Sequence, residues 1–255
     1  MTAPRLLVRR PSPRLADGEL THLERLPVDP VVALEQWEGY VEVFRARGWQ
    51  IVEVDPADDQ PDGVFVEDAV IVFDDLAVLC RAGAASRRGE APSIRAAVAR
   101  LDLEMAEVAA PGTLDGGDVL KVGRVVYVGA SSRTDAEGIA QLRRMLEPRG
   151  WSIVEVPVHR VLHLKSAVTA LPDGTVVGYA PLVDAPESFP VFVGIPEEHG
   201  TAVVVLDERT VLMSADAPET AEVYRKRGLE VVTAEVTEFE KLEGCVTCLS
   251  VRVRD

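Results

Sequence analysis

Apolar positions along the chain alternate between helical and strand-like spacing. The first helical stripe predicts a helix over about residues 30–47, and its apolar members are Val31, Val32, Leu34, Trp37, Tyr40, Val41 and Phe44. Short apolar runs separated by turn residues follow, and they predict β-strands at 63–66, 69–73 and 76–79. A predicted helix over about 86–101 and a strand near 106–109 complete this first group.

The same order of elements then restarts three times. Apolar runs and the turns between them predict, in the second group, strands 119–122 and 125–128, helix 134–147 and strand 153–156. The third group has predicted strands 167–171 and 175–179. The fourth has predicted strands 202–206 and 210–213 and helix 218–227. The chain ends carry only parts of such a group, with strands at 6–8, at 51–54 and just after Cys248. Pairing of the C-terminal strand beside the N-terminal segment would complete a fifth group.

An internal repeat supports this grouping. The segment RGWQIVEV at 47–54 recurs as RGWSIVEV at 149–156, with a weaker copy, RGLEVV, at 227–232. Each copy follows a predicted helix and begins a strand, so its glycine is typical of a helix C-cap. We therefore predict an α/β fold, a five-bladed α/β propeller of ββαβ units that forms a single domain over residues 1–255. Ring closure removes open sheet edges, and a two-domain α/β protein is the alternative.

Composition and charge limit the kinds of ligand and the cellular location that we expect for this protein. The chain has 255 residues and a formal net charge of −15, which repels nucleic acid and anionic membranes and favours cationic ligands. No apolar run approaches the roughly 18 residues of a membrane span, and the first residues lack the apolar core of a signal peptide. Three cysteines then favour a reduced, cytoplasmic setting. Homo-oligomerisation is left open by the sequence.

Residues suited to covalent catalysis stand at the openings of successive units. Glu67 and Asp68 follow one predicted strand, Asp115 lies 48 residues after Glu67, and His163 lies 48 residues after Asp115. Equivalent strand ends converge on the axis of a ring, so we expect these groups to share one cleft with the Cys248 thiol. A nucleophile, a base and an orienting acid would then meet. For Cys248 taken alone, a buried and inert cysteine is the alternative.

Four motifs, in this order, resemble one enzyme family. They are FVED at 65–68, LDGGDVL at 114–120, LHLKS at 162–166 and LEGCVTCLS at 242–250. Together they are similar to the dimethylarginine dimethylaminohydrolases of the guanidino-group-modifying (pentein) superfamily, whose fold is a five-bladed α/β propeller. The resemblance runs from about residue 7 to the C-terminus. It implies hydrolysis of asymmetric dimethylarginine and monomethylarginine to citrulline and dimethylamine or methylamine, with no cofactor and no metal.

The resemblance implies a role for each reacting residue. Cys248 corresponds to the nucleophile, which attacks the guanidinium carbon and forms a covalent alkylthiouronium. His163, oriented by Asp115, would protonate the departing amine and then take a proton from the hydrolytic water. Neighbouring carboxylates raise the pKa of a thiol, whereas the attack needs a thiolate. We therefore expect Cys248 to ionise mainly when the substrate guanidinium is bound.

The substrate contacts are also implied by the resemblance. The matching positions are Asp62 and Asp68 for the guanidinium with Glu67 beside them, Arg87 and Arg133 for the α-carboxylate, the Leu242 carbonyl for the α-amino group, and Leu20 in the lid loop. A planar cation against carboxylates forms charge-assisted, often bidentate hydrogen bonds. For either arginine, a solvated charge at the start of a helix is the alternative.

One departure from the wider superfamily bears on the substrate. Arginine deiminases and amidinotransferases usually carry an aspartate two residues after the histidine, where this chain has Lys165. N-methyl groups cannot donate hydrogen bonds and would leave such a buried acceptor unpaired. Lys165 therefore favours methylated arginine.

Three other interpretations stay open at this point. The chain could be a deiminase or amidinotransferase on an unmethylated guanidine, or a non-catalytic pentein that serves as a binding module. The C-x-x-C at 245–248 could be a redox or zinc site, although a strand follows it instead of a helix. Release of citrulline from dimethylarginine separates the first two from the expected activity.

Overall fold

The computed structural model describes residues 3–254, so the ends of the predicted domain, residues 1–2 and 255, lie outside the described residues. The strands are β1 (Arg5–Val8), β2 (Gln50–Glu53), β3 (Val70–Phe73), β4 (Leu76–Leu79), β5 (Glu104–Glu107), β6 (Val119–Val122), β7 (Val125–Ala130), β8 (Ser152–Pro157), β9 (Val168–Ala170), β10 (Val176–Gly178), β11 (Phe192–Gly194), β12 (Val203–Val205), β13 (Thr210–Ser214), β14 (Glu230–Ala234) and β15 (Val251–Val253). The helices are α1 (Pro30–Arg45), α2 (Ala91–Val98), α3 (Ala136–Leu146), α4 (Leu164–Ala167), α5 (Pro218–Lys226) and α6 (Thr237–Glu240).

These strands form five separate three-stranded sheets with one shared pattern. Their orders are β15-β1-β2, β3-β4-β5, β6-β7-β8, β9-β10-β11 and β12-β13-β14. In each sheet the first two strands are antiparallel and the third is parallel to the middle one. A tight turn suffices for an antiparallel pair, whereas a parallel pair needs a crossover connection. The predicted five-unit α/β propeller is confirmed.

Ring closure follows the pairing predicted for the two chain ends. The C-terminal strand β15 pairs antiparallel with β1, with Leu6 opposite Arg252. Strand β1 in turn pairs in parallel with β2. One strand of every sheet, namely β15, β3, β6, β9 and β12, lines a shared central cavity of about 1010 Å³. The fifth unit is therefore assembled from both ends of the chain.

The glycine of each Arg-Gly repeat is required for the same structural reason. Gly48, Gly150 and Gly228 have φ of 77°, 81° and 87°, and each follows a helix and precedes a strand. This left-handed conformation ends a helix, and glycine adopts it without a steric penalty. The first helix, α1, begins where the Asp29 carboxylate accepts from the amides of Val31 and Val32.

The β3-β4-β5 and β9-β10-β11 units differ from the sequence expectation in detail. The segment 63–66, predicted as a strand, turns instead into a short 3-10 helix, Val66–Asp68, that carries Asp68 towards the cleft described below. The predicted helix 86–101 begins as a 3-10 helix, Ala85–Glu90, and becomes α-helical only at α2, where proline occupies one of the first two positions. In the β9-β10-β11 unit, two 3-10 turns replace the crossover helix. Within residues 3–254, the helices are all too short or too polar to cross a membrane.

Candidate active site

Four side chains predicted for the active site stand just before strands that line the central cavity. Asp68 precedes β3, Asp115 precedes β6, His163 precedes β9 and Cys248 precedes β15. Because these strands surround the central cavity, the loops before them meet at one end of it. Asp68, His163 and Cys248 line a single cleft there, together with Asp62, Phe65, Arg87, Arg133, Leu162, Leu242, Gly244, Glu19 and Glu243.

His163 is held by a buried carboxylate. Its Nε2 lies 3.0 Å from Oδ2 of Asp115, which is fully buried. The other oxygen of Asp115 accepts from the Gly83 amide at 2.9 Å, so the carboxylate cannot rotate freely. Burial alone would lower the pKa of His163, but Asp68 and the Asp115 hydrogen bond raise it to about 9. His163 is therefore an imidazolium at neutral pH.

The two glycines of the 114–120 motif bring these groups together. A Cβ on Gly117 would lie 2.5 Å from Nδ1 of His163, and a Cβ on Gly116 would lie 2.0 Å from the carbonyl oxygen of Glu67. Neither position has room for a side chain. The motif therefore needs glycine for close packing, since neither residue has a positive φ.

Asp68 is an ionised carboxylate between two cations. Its Oδ2 accepts from Arg87 Nη1 at 2.6 Å, and its Oδ1 lies 3.8 Å from Nδ1 of His163 and accepts from the Gly117 amide. Burial favours protonation of Asp68, yet His163 and Arg87 lower its pKa to about 2. The cleft thus offers a fixed negative charge to a cationic ligand.

Without a ligand and at neutral pH, the Cys248 side chain is a protonated thiol. Its Sγ lies 3.3 Å from Sγ of Cys245. That contact, burial, and the charges of Glu67 and Asp68 together raise the pKa of Cys248 well above its ordinary value. Cys248 and His163 line the same cleft, as the sequence predicts.

Glu67 is placed differently from the other predicted contacts. Its carboxylate lies 2.7 Å from Lys165 Nζ and 2.8 Å from Arg252 Nη2, and these three residues line the central cavity instead of the cleft. The Glu67 amide donates to the Cys248 carbonyl at 3.2 Å. Glu67 therefore supports the loop that carries the thiol, and Lys165 presents no group to the cleft.

The two predicted arginines both reach the cleft with acidic partners. Arg87 binds Asp68 and, through Nε and Nη2, the carboxylate of Glu90. Arg133 Nη1 lies 3.1 Å from Oε2 of Glu19, a residue that the sequence argument missed. An acidic residue in a loop gives no sequence signal that it will meet an arginine 114 positions away.

A loop closes the cleft from outside. The Glu243 carboxylate accepts from the amides of Thr21, His22 and Leu23 at 2.8, 2.6 and 3.2 Å. The free volume left in the cleft is about 20 Å³, room for little more than one water molecule. Leu20, predicted in this lid, packs against the core between the cleft residue Glu19 and the anchored amides. Glu243 belongs to the 242–250 motif, but the sequence gave no indication of its contact with the lid.

Comparison with known proteins places the chain in a family. It is 58% identical to the dimethylarginine dimethylaminohydrolase of Streptomyces coelicolor, over 100% of this chain and 99% of that protein. The chain belongs to the dimethylarginine dimethylaminohydrolase family. The Pseudomonas aeruginosa member is 36% identical over 97% of this chain and 98% of its own. The sequence model of the arginine deiminase family matches residues 90–211.

Solved structures support this family assignment. The Pseudomonas aeruginosa dimethylarginine dimethylaminohydrolase, as a cysteine-to-serine mutant complexed with citrulline, superposes with a TM-score of 0.91 at 34% identity and covers 99% of this chain and 100% of its own. A dimethylarginine dimethylaminohydrolase adduct with S-methyl-L-thiocitrulline gives 0.90 at 34% identity, with the same coverage. The N-terminal domain of ArgZ, a cyanobacterial arginine dihydrolase, gives 0.88 at 22% identity over 100% of this chain and 98% of its own, and this likeness shows the fold alone.

Proposed function

We propose that this member of the dimethylarginine dimethylaminohydrolase family hydrolyses asymmetric dimethylarginine and monomethylarginine to citrulline and an alkylamine. One observation carries the proposal: a thiol, an imidazolium held by a buried carboxylate, and a fixed anionic charge line one closed cleft. The direct test incubates the protein with asymmetric dimethylarginine and measures citrulline and dimethylamine. Release of ammonia from arginine at a higher rate would indicate a deiminase instead.

The cleft has a binding element for each end of such a substrate. Asp68 and Asp62 face the cleft and would hold the guanidinium nitrogens through charge-assisted hydrogen bonds. The α-carboxylate would replace Glu19 as the partner of Arg133, with the unused Nη1 hydrogen of Arg87 beside it. The Leu242 carbonyl would accept from the α-amino group. Opening of the lid at Glu243 is required, because the closed cleft cannot hold an amino acid.

The chemistry runs in two steps. Once the bound guanidinium has lowered its pKa, the Cys248 thiol loses its proton to water. In the first step, the thiolate sulfur bonds to the guanidinium carbon, the bond from that carbon to the methylated nitrogen breaks, and His163 gives its proton to the departing amine. In the second, water attacks the same carbon and gives a proton to His163. The remaining proton on the attacking oxygen passes to the sulfur as the carbon–sulfur bond breaks, so citrulline is released and the Cys248 thiol is regenerated. Asp115 keeps the imidazole aligned throughout.

Lys165 supports a methylated substrate. Its amine is paired with Glu67 on the side of the central cavity, so the position contributes no acceptor to the cleft. A methylated nitrogen cannot donate hydrogen bonds. Because this position holds no acceptor, a methylated substrate fits here without the cost of an unpaired buried group.

Ionisation of Cys248 is expected to depend on the ligand. Since Glu67 and Asp68 contribute to the raised pKa of the thiol, a bound guanidinium offsets their charge and lowers that pKa. Titration of the thiolate by its ultraviolet absorbance should give a pKa above the ordinary value in the free enzyme and a lower pKa with a non-reacting guanidinium analogue. The Cys248→Ser variant supplies the baseline. A free-enzyme thiol already ionised at neutral pH would reject this expectation.

Loss of Arg133 is expected to weaken substrate binding. A charged hydrogen bond contributes about 1.5–3 kcal/mol, so Arg133→Met should raise KM for dimethylarginine by roughly 10- to 100-fold. The analogue that lacks the α-carboxylate, dimethylagmatine, should be processed equally by both proteins. Arg160→Met, at an exposed arginine paired with Asp184, is the control. An equal loss on both substrates would place Arg133 elsewhere in the mechanism.

The free cysteines bear on the cellular location of the protein. We infer that it works in the cytoplasm, because Cys80, Cys245 and Cys248 are all free thiols. We also propose that the whole ring acts as one domain, since β15 and β1 join the two chain ends.

A further inference from the structure

A second group of titratable side chains lies outside the cleft. His199 stands on the 3-10 turn Glu198–Gly200, Asp216 on the turn between β13 and α5, and Glu240 at the end of α6. One ligand atom from each residue lies within 4.8 Å of the other two. Nδ1 of His199 lies 2.9 Å from Oδ2 of Asp216 and 3.5 Å from Oε2 of Glu240. None of the three lines the catalytic cleft.

Glu240 is the unexplained member of this cluster. Its side chain is only 8% exposed, and neither carboxylate oxygen has a hydrogen-bond partner among the described residues. The neighbouring Ser214 hydroxyl accepts from the Asp216 amide at 3.2 Å, and its own hydrogen is the side-chain donor available to Glu240. A buried carboxylate with so few donors is costly unless a cation compensates it. In the part of the chain that the structure describes, His199 is the one basic residue that forms an ion pair with Asp216 or Glu240.

The distances match those between ligands of one metal ion. Zinc bonds to imidazole nitrogen and carboxylate oxygen are about 2.0–2.2 Å long, and tetrahedral angles then separate ligand atoms by roughly 3.3–3.6 Å. The observed separations of 2.9 and 3.5 Å need only small adjustments. His199 and Asp216 are the exposed ligands, with side chains 41% and 57% exposed, so they can make those adjustments.

The donor set also selects the kind of ion. Calcium and magnesium prefer all-oxygen ligands, whereas imidazole with carboxylates suits zinc. We propose that His199, Asp216 and Glu240 form a binding site for a divalent transition-metal ion, Zn²⁺ being the best match, separate from the active site. The fourth position is open to solvent water. The ion joins the end of α6 to two turns of the β12-β13-β14 unit.

The proposed ion would lie at the end of α6, next to the loop that carries the Cys248 thiol. Helix α6 runs directly into residues 241–248, and the amides of Leu242 and Gly244 donate back to the Phe239 carbonyl at 2.9 and 3.0 Å. Fixing Glu240 therefore fixes the start of that loop. The site is a structural clamp, because its ligands do not reach the cleft.

Zinc binding by the Cys248→Ser protein tests the proposal, because this background removes the reactive thiol as a ligand. After metal removal with a chelator, isothermal titration with ZnCl₂ should detect the cluster site, and Asp216→Asn and His199→Asn should each weaken that site at least 10-fold. Asp216 is exposed, so its asparagine variant keeps the fold. His159→Asn, at a histidine outside the cluster, should bind zinc unchanged. Saturating zinc should raise Tm by about 5 °C in the parent and not in Asp216→Asn.

Anomalous diffraction at the zinc edge locates the ion. The expected peak lies within bonding distance of His199 Nδ1. A peak only beside His163, or zinc affinity and Tm shifts that Asp216→Asn and His199→Asn leave unchanged, would overturn the proposal. Both readouts are independent of catalysis, so failure here leaves the proposed hydrolase activity intact.

Discussion

Replacing Cys248 with serine should lower the rate of citrulline release from asymmetric dimethylarginine by about 10⁴-fold or more. Removal of a nucleophile abolishes the covalent route, and variants of this kind in other enzymes lose about 10⁴- to 10⁶-fold in turnover. The measurement is kcat from a citrulline assay at saturating substrate. Binding should survive, because Asp62, Asp68 and Arg133 are unchanged.

The matched control is Cys245→Ser. Its sulfur lies 3.3 Å from that of Cys248, so the two variants alter neighbouring thiols of the same motif. We expect Cys245→Ser to keep activity within about 10-fold, since the hydroxyl preserves a hydrogen-bonding group next to Cys248. Equal loss in both variants would contradict a single nucleophile and would favour a dithiol mechanism.

Replacing His163 with asparagine should lower kcat by about 10³-fold, within the range of general acid–base catalysis. Asparagine can still hydrogen-bond to Asp115 but cannot protonate the leaving amine. In the wild type, kcat/KM should fall as the pH rises through about 9, because the imidazolium that supplies the proton is then lost. The variant should lack this alkaline limb. His159→Asn, outside the cleft, should keep the full pH profile.

A substrate with a better leaving group separates the two proposed roles of His163. S-methyl-L-thiocitrulline releases a thiolate, which needs less help from an acid than an amine does. The His163→Asn protein should therefore still form the covalent adduct with it and then hydrolyse that adduct slowly, because the water has lost its base. Mass spectrometry detects the accumulated adduct. Rapid turnover by the variant would place the base elsewhere.

The sequence alone determined the architecture. Apolar periodicity located the strands to within about two residues in most units, because each element buries one face and its pattern follows that face. The RGW repeat, the incomplete groups at both ends and the four motifs then specified five units and their closure through β15 and β1. The errors fell on residues 63–66 and 86–90, where the chain bends towards the cleft and functional geometry overrides local preference.

Tertiary structure decided the finer assignments. Motifs indicated which residue types meet, but not that Glu67 turns away to Lys165 and Arg252 while its neighbour Asp68 faces the cleft. They gave no sign of Glu19, and the 242–250 motif contains Glu243 without indicating its role, because the partners of both residues are brought close only by the folded lid. Local patterns record which face a residue buries, whereas contacts between distant loops depend on how the five units are arranged around the ring. The sequence predicted the direction of the Cys248 pKa shift, but the ion pairs and the pKa shifts of His163 and Asp68 could be assigned only from the folded structure.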